Sequence, residues 1–213
     1  MTQSFPIDLV ALVPGKDDRE ALAGLIETRQ ASLGIRAIRA ELLVHPRRDP
    51  GCFHEAPAVL QSYQRRAHYA LVIFDHEGCG QEARPAPELE RELEERLSNS
   101  GWPARAKALV IEPELEVWVW SDSPQVDVAL GWQGRSPHLR RWLADNLHWP
   151  AGPPKPARPK ETLDAALREA GVRRSSSIFR QLAETVSLER CRDAKFLQLK
   201  QLLTLWFPER PQT

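Results

Sequence analysis

Tyr69-Ala-Leu-Val-Ile-Phe-Asp75-His-Glu77-Gly78 decides the fold: six apolar or aromatic residues in a row, then an acid-X-acid-Gly turn. Such a run predicts a strand buried on both faces of a parallel sheet. In open α/β sheets ligands and metals gather beyond the carboxyl ends of the strands, which is where Asp75 and Glu77 fall. Two carboxylates there can hold a divalent cation that bridges to phosphate oxygens. The competing reading is a solvated turn, with Asp75 capping backbone donors and Gly78 at positive φ.

Outward from this strand, strands and helices alternate as in a βαβ protein. Residues 7 to 13 read as a first strand ended by Pro14-Gly15, and 16 to 33 as a crossover helix with Asp17 and Asp18 at the favourable end of its dipole. A second strand is expected over 35 to 44, a loop over 45 to 51 and a second helix over 53 to 66. Beyond the 69 to 74 strand, 87 to 100 carries Leu89, Leu93 and Leu97 at four-residue intervals, an amphipathic helix on a charged surface. Residues 106 to 111 make the fourth strand. Pro113 fits the first turn of a following helix, which would set Glu112 and Glu116 on one face, one turn apart. Another helix is expected over 136 to 147.

Five prolines between 150 and 159 mark the clearest boundary, a stretch too stiff and donor-poor for helix or sheet. Helical patterns follow at 160 to 170, 176 to 187 and 193 to 206. The expected organisation is an α/β domain over 1–149, a Pro-rich linker over 150–159 and a C-terminal helical subdomain over 160–213.

Length and composition bound the function. The chain has 213 residues and 42% hydrophobic content, enough for a real core. Its 29 basic and 29 acidic residues cancel, so no global field draws it to nucleic acid or an anionic membrane, and any such contact needs a local patch. Cys52, Cys79 and Cys191 lie far apart without a signal peptide, as expected of reduced thiols in a cytoplasmic protein. No apolar segment approaches a membrane span.

Several groups could carry chemistry. Lys16 could meet a phosphate near a helix N-terminus and Asp17 or Asp18 could join a metal site, although a plain turn with acidic capping explains the same letters. Glu112, Glu114 and Glu116 are either a second acidic contribution at the same sheet edge or an acid-rich first helical turn. His45, Arg47, Arg48 and Asp49 could recognise phosphate or form a solvated loop. The phosphate cradle of P-loop proteins and the Gly-X-Gly-X-X-Gly dinucleotide fingerprint are absent, as is a Gly-X-Ser-X-Gly elbow. Trp118, Trp120 and Trp132 alternate with Val and Leu, which favours core filling or a protein interface over base stacking.

The strand ending in Asp75-His-Glu77-Gly, the Gly-Lys16-Asp-Asp18 helix start and Glu112-Pro-Glu-Leu-Glu116 together resemble Toprim-like (Rossmann-like) domains of OLD-type nucleases, over roughly residues 5 to 120. The runs at 44 to 52, 75 to 80 and 111 to 124, with Arg190-Cys-Arg-Asp193, look like small bacterial proteins of methylation-associated anti-phage defence systems. The first resemblance implies a mostly parallel four-stranded sheet and Mg²⁺- or Mn²⁺-dependent phosphodiester chemistry on DNA. It implies Asp75 and Glu77 as metal ligands; from their place at the same rim, Glu112 and Glu116 are expected to add ligands, and Asp18 and Lys16 to be catalytic groups. The second implies a component of such a defence system, and the alternative to catalysis is an inactive Toprim-like scaffold or sensor subunit that docks onto a methyltransferase or nuclease. Pro14 stands where Toprim-like domains carry an acid, which leaves Asp17 or Asp18 to replace it.

Overall fold

Apolar runs become strands where the sequence places them. In the computed structural model, which describes residues 5–209, β1 spans Ile7–Val13, β2 Ala40–Val44, β3 Ala67–Asp75 and β4 Ala106–Ile111. All pairings are parallel and the order is β2-β1-β3-β4. The protein is therefore an α/β fold built on a four-stranded parallel sheet flanked by helices. β2 begins at Ala40 rather than at 35. Ile35 instead makes an isolated antiparallel bridge with Pro208, and Asp8 ties down the intervening segment by accepting from the Arg39 N–H at 2.8 Å and pairing with Arg36 at 2.9 Å.

The alternation of β1 and β3 sends side chains to two cores. Val10, Leu12, Val72 and Phe74 face one side, covered by α3 (Arg48–Leu60) and α4 (Ala86–Asn99). Leu9, Ala11, Val13, Leu71 and Ile73 face the other, packed with α1 (Lys16–Thr28), which is followed by the short α2 (Gln30–Leu33). Burying both faces is what makes β3 read as an unbroken apolar run.

Beyond β4 the chain departs from the expected helix at Pro113. Glu114 is extended, at φ −160° and ψ 166°, so helical geometry starts only with a 3₁₀ turn at Leu115–Trp118. Two short helices follow, α5 (Pro124–Ala129), which the sequence reading lacks, and α6 (Leu139–Asp145). The three helices after the prolines form within two residues of their expected limits: α7 (Pro159–Ala170), α8 (Ser176–Thr185) and α9 (Ala194–Trp206). They share a core with the α1 side of the sheet. Tryptophans join the two parts: Trp120 Nε1 donates to Pro159 O at 3.1 Å, Trp132 Nε1 to Ala166 O at 3.1 Å, and Trp118 Nε1 to Asp193 Oδ1 at 3.0 Å. Core filling is thus the use made of Trp120 and Trp132, both nearly fully buried. α8 lies directly on α1, where a Cβ at Gly24 would come within 2.9 Å of the Ala183 Cβ, so only glycine fits without a shift.

Residues 1–4 and 210–213, which belong to the two expected domains, lie outside the described part. Cys52, Cys79 and Cys191 are free and buried. Among the described residues no helix is long and apolar enough to cross a membrane.

Candidate functional site

β1 connects to β2 on one side and lies beside β3 on the other, so the strand order reverses at β1 and a crevice opens between the carboxyl ends of β1 and β3. Several elements deliver side chains to it. Pro14-Gly15 turns the chain from β1 into α1, whose first turn carries Lys16, Asp17 and Asp18. The first turn of α3 carries Arg48 and Asp49, β3 ends on Asp75, and the 3₁₀ turn presents Glu116. These line a cavity of about 620 Å³. A second chamber of about 450 Å³, reaching Glu77 and Glu114, shares Arg48, Asp49, Asp75 and Lys160 with the first. The two adjoin, with Asp49 and Asp75 at the seam, and their shared lining outlines a two-part groove.

The carboxylates are crowded and poorly solvated. Asp18 is only 9% exposed, and its Oδ1 is enclosed without a hydrogen-bond partner. Burial, followed by the charges of Asp49, Glu116 and Asp17, outweighs its own backbone N–H and pushes it up to about 7. Asp75 is half-buried, yet its Oδ1 is also enclosed and without a partner. Burial first, then Asp18, Asp49, Glu116 and Glu114, push it well above the ordinary carboxylate range. Asp49 is raised by burial as well, although its Oδ1 accepts from the Asp75 N–H at 2.9 Å and so holds the end of β3 in place. Glu114, 5% exposed, is pushed up to about 7 by burial and then by Glu116, while its Oε1 accepts from the Lys160 N–H at 2.9 Å. Such shifts mark groups held in a costly environment and cluster where proteins bind cations or move protons.

Cations answer this field unevenly. Arg174, in the connection between α7 and α8, reaches Asp17 at 3.1 Å, Asp164 at 3.0 Å and Glu116. The Ser176 hydroxyl donates to the other Asp17 oxygen at 2.6 Å. Lys160 Nζ lies 3.8 Å from Glu114. Lys16 and Arg48 make no side-chain ion pair or hydrogen bond among the described residues. Arg48 enters α3 at φ 51°, the left-handed region that only glycine adopts freely. Beside it, the buried His45 ring accepts from the Arg47 N–H through Nδ1 at 3.0 Å and faces Glu55 through Nε2 at 3.2 Å. Gly51 leaves room for that ring, since a Cβ there would lie 1.9 Å from Nδ1.

Of the residues singled out in the sequence, the fold brings Lys16, Asp18, Asp75 and Glu116 to the larger chamber. Glu77 is exposed and lines only the smaller one. Glu112 is exposed and lines neither; with Glu114 extended rather than helical, it does not share a face with Glu116. Glu116 is buried against Arg174. Asp49, Lys160 and Arg174 join the site although the sequence reading gave none of them a metal or catalytic role. Asp49 carries a signal in hindsight, an acid just before Pro50 in what is the first turn of a helix. Among the described residues no group of three or more His, Cys, Asp or Glu side chains is already disposed around a metal-sized point.

Fold and site together define a parallel α/β protein with an acidic crevice at its topological switch point. No family model, curated protein or solved structure matches the chain.

Proposed function

We propose that the protein is a Toprim-like, Mg²⁺- or Mn²⁺-dependent phosphodiesterase acting on nucleic acid as part of bacterial anti-phage defence. The observation that carries this reading is the pair of enclosed, partnerless oxygens, Oδ1 of Asp18 and Oδ1 of Asp75, at the switch point. Buried polar atoms are normally satisfied, and two carboxylates left so beside further acids fit a cation. An all-oxygen donor set suits a hard divalent ion. Mg²⁺ is commonly held by one or two carboxylates, with water and substrate phosphates completing its shell, so a protein cage of three ligands is not required.

Asp18 and Asp75 would hold the ion, with Asp49 fixing the Asp75 backbone. Bound there, the cation would polarise a phosphoryl oxygen and offset developing negative charge. Asp18 brings a carboxylate to the crevice that Pro14 leaves without one. Glu114, with its proton affinity near neutrality, is suited to hold or release a proton at Oε2 while Oε1 stays on the Lys160 N–H. Lys16 at the start of α1 is placed for a phosphate oxygen.

Two observations favour a second reading, a subunit without catalysis that docks onto a methyltransferase or nuclease. Pro14 is buried where Toprim-like domains carry an acid, and Glu116 is occupied by Arg174.

The two readings separate in one assay. Purified protein incubated with DNA or RNA and Mg²⁺ or Mn²⁺ is expected to cleave phosphodiesters, with Asp75→Asn and Asp18→Asn reduced to background while remaining folded. Absence of cleavage with either ion, or undiminished cleavage by Asp75→Asn, overturns the enzymatic reading.

A further inference from the structure

We infer that the groove binds an extended single nucleic-acid strand through two successive phosphates, one at the seam under Arg48 and Lys160 and the next at Lys16. This rests on the proposed cation site and specifies its substrate.

The two chambers meet at four shared residues, two acids and two cations: Asp49, Asp75, Arg48 and Lys160. A phosphate drawn to an ion on Asp75 would therefore lie between Arg48 and Lys160. Lys16 lines the larger chamber and not the smaller one, and it is the cation assigned here to the neighbouring phosphate. Each cation is available. Lys16 and Arg48 have no protein partner among the described residues, and the nearest carboxylate oxygen to Lys160 Nζ is 3.8 Å away. Arg48 is held at φ 51°, a conformation that a side chain with no role there would be better without. Lys160 comes from the helices beyond the proline-rich segment, which ties those helices to substrate binding.

Charge sets the order of events. Six acids and four Lys or Arg side chains line the larger chamber, so its cations are largely offset and a bound divalent ion adds the charge that draws a phosphate in. Shape sets the substrate. The ion-holding oxygens of Asp18 and Asp75 are enclosed, so a phosphate must enter the groove to reach them. Chambers of these sizes match small-ligand pockets, a scale that suits single nucleotide units and not the width of a duplex. The phosphates of a duplex stay on its outer wall.

The test is fluorescence anisotropy with a labelled twelve-residue oligothymidylate in Ca²⁺, over a series of KCl concentrations. Lys16→Ala, Lys160→Ala and Arg48→Gly are each expected to weaken binding about 10-fold and to lower the log-log salt slope by about 0.7, the value for one lost phosphate contact on a single strand. Lys160→Arg is expected to keep the slope, and a duplex of equal length to bind at least about 10-fold more weakly. Unchanged strand affinity in Lys160→Ala and Arg48→Gly, or equal affinity for duplex and strand, overturns the inference. Calorimetric titration of Mn²⁺ into the protein alone separates the two levels. Ion binding with strand affinity indifferent to these cations sinks only the strand site, whereas loss of ion binding sinks the proposed function beneath it.

Discussion

Asp18→Asn is expected to raise the stability of the protein without added metal by roughly 2–4 kcal/mol at pH 8, and to leave it nearly unchanged at pH 4. The sign follows from proton linkage. The Asp18 carboxyl is pushed from 3.8 up to about 7 in the folded chain, chiefly by burial and then by neighbouring acids. Between those values the folded chain keeps a proton that the unfolded chain has released. Stability therefore falls as pH rises from about 4 to about 7, then levels off. An amide keeps the shape and removes the charge, which flattens this part of the profile. Urea denaturation of both proteins at several pH values is the check. Equal stabilities at pH 8, or a less stable Asn variant there, would mean that Asp18 is not held against its charge.

Arg174→Ala carries the second large effect, a loss of about 2–4 kcal/mol at neutral pH. One guanidinium joins Asp17 of α1, Asp164 of α7 and Glu116 after β4, and among the described residues only the longer Lys160–Glu114 pair, at 3.8 Å, also links two of these segments through side chains. Burial alone would lower its proton affinity, but the hydrogen bond and charge of Glu116, then Asp164 and Asp17, raise it. Removing the cation leaves Glu116 buried without a counter-charge, and an uncompensated buried charge is costlier than a missing surface pair. Because the coupling to Glu116 dominates, Glu116→Gln in the Arg174→Ala background should recover part of the loss. A double-mutant cycle by urea denaturation measures it, and strictly additive losses would refute the coupling.

The sheet was legible because β1, β3 and β4 are buried on both faces, whereas the edge strand β2 is not. Nothing but a strand fits Tyr69 to Phe74 before an Asp-X-Glu-Gly turn, and the limits of β1 and β4 fall where expected. The later helices were legible from their apolar spacing. The start of α3 was not. Pro46, Pro50 and Gly51 read as loop, yet proline is tolerated in a first helical turn, and the helix begins at Arg48. β2 was overextended because Ile35 and Ile38 look like strand residues, while their burial comes from packing against the other elements.

The site was half legible. Asp18, Lys16 and Asp75 lie beside strand ends, so topology alone brings them to the crevice. Which acid of Glu112, Glu114 and Glu116 turns inward depends on whether the backbone after β4 is helical or extended, a local choice the letters leave open. Arg174 and Lys160 were out of reach for another reason. They arrive from helices beyond the prolines, and nothing in a helical spacing states which sheet edge its ends will meet.

The most direct measurement is a crystal structure of the protein with Mn²⁺, located by its anomalous signal. The account predicts an ion in the larger chamber within about 2.0–2.6 Å of an oxygen of Asp18 and an oxygen of Asp75. An empty crevice at saturating Mn²⁺, or an ion held at Glu112 or Glu77 away from Asp18, would contradict it.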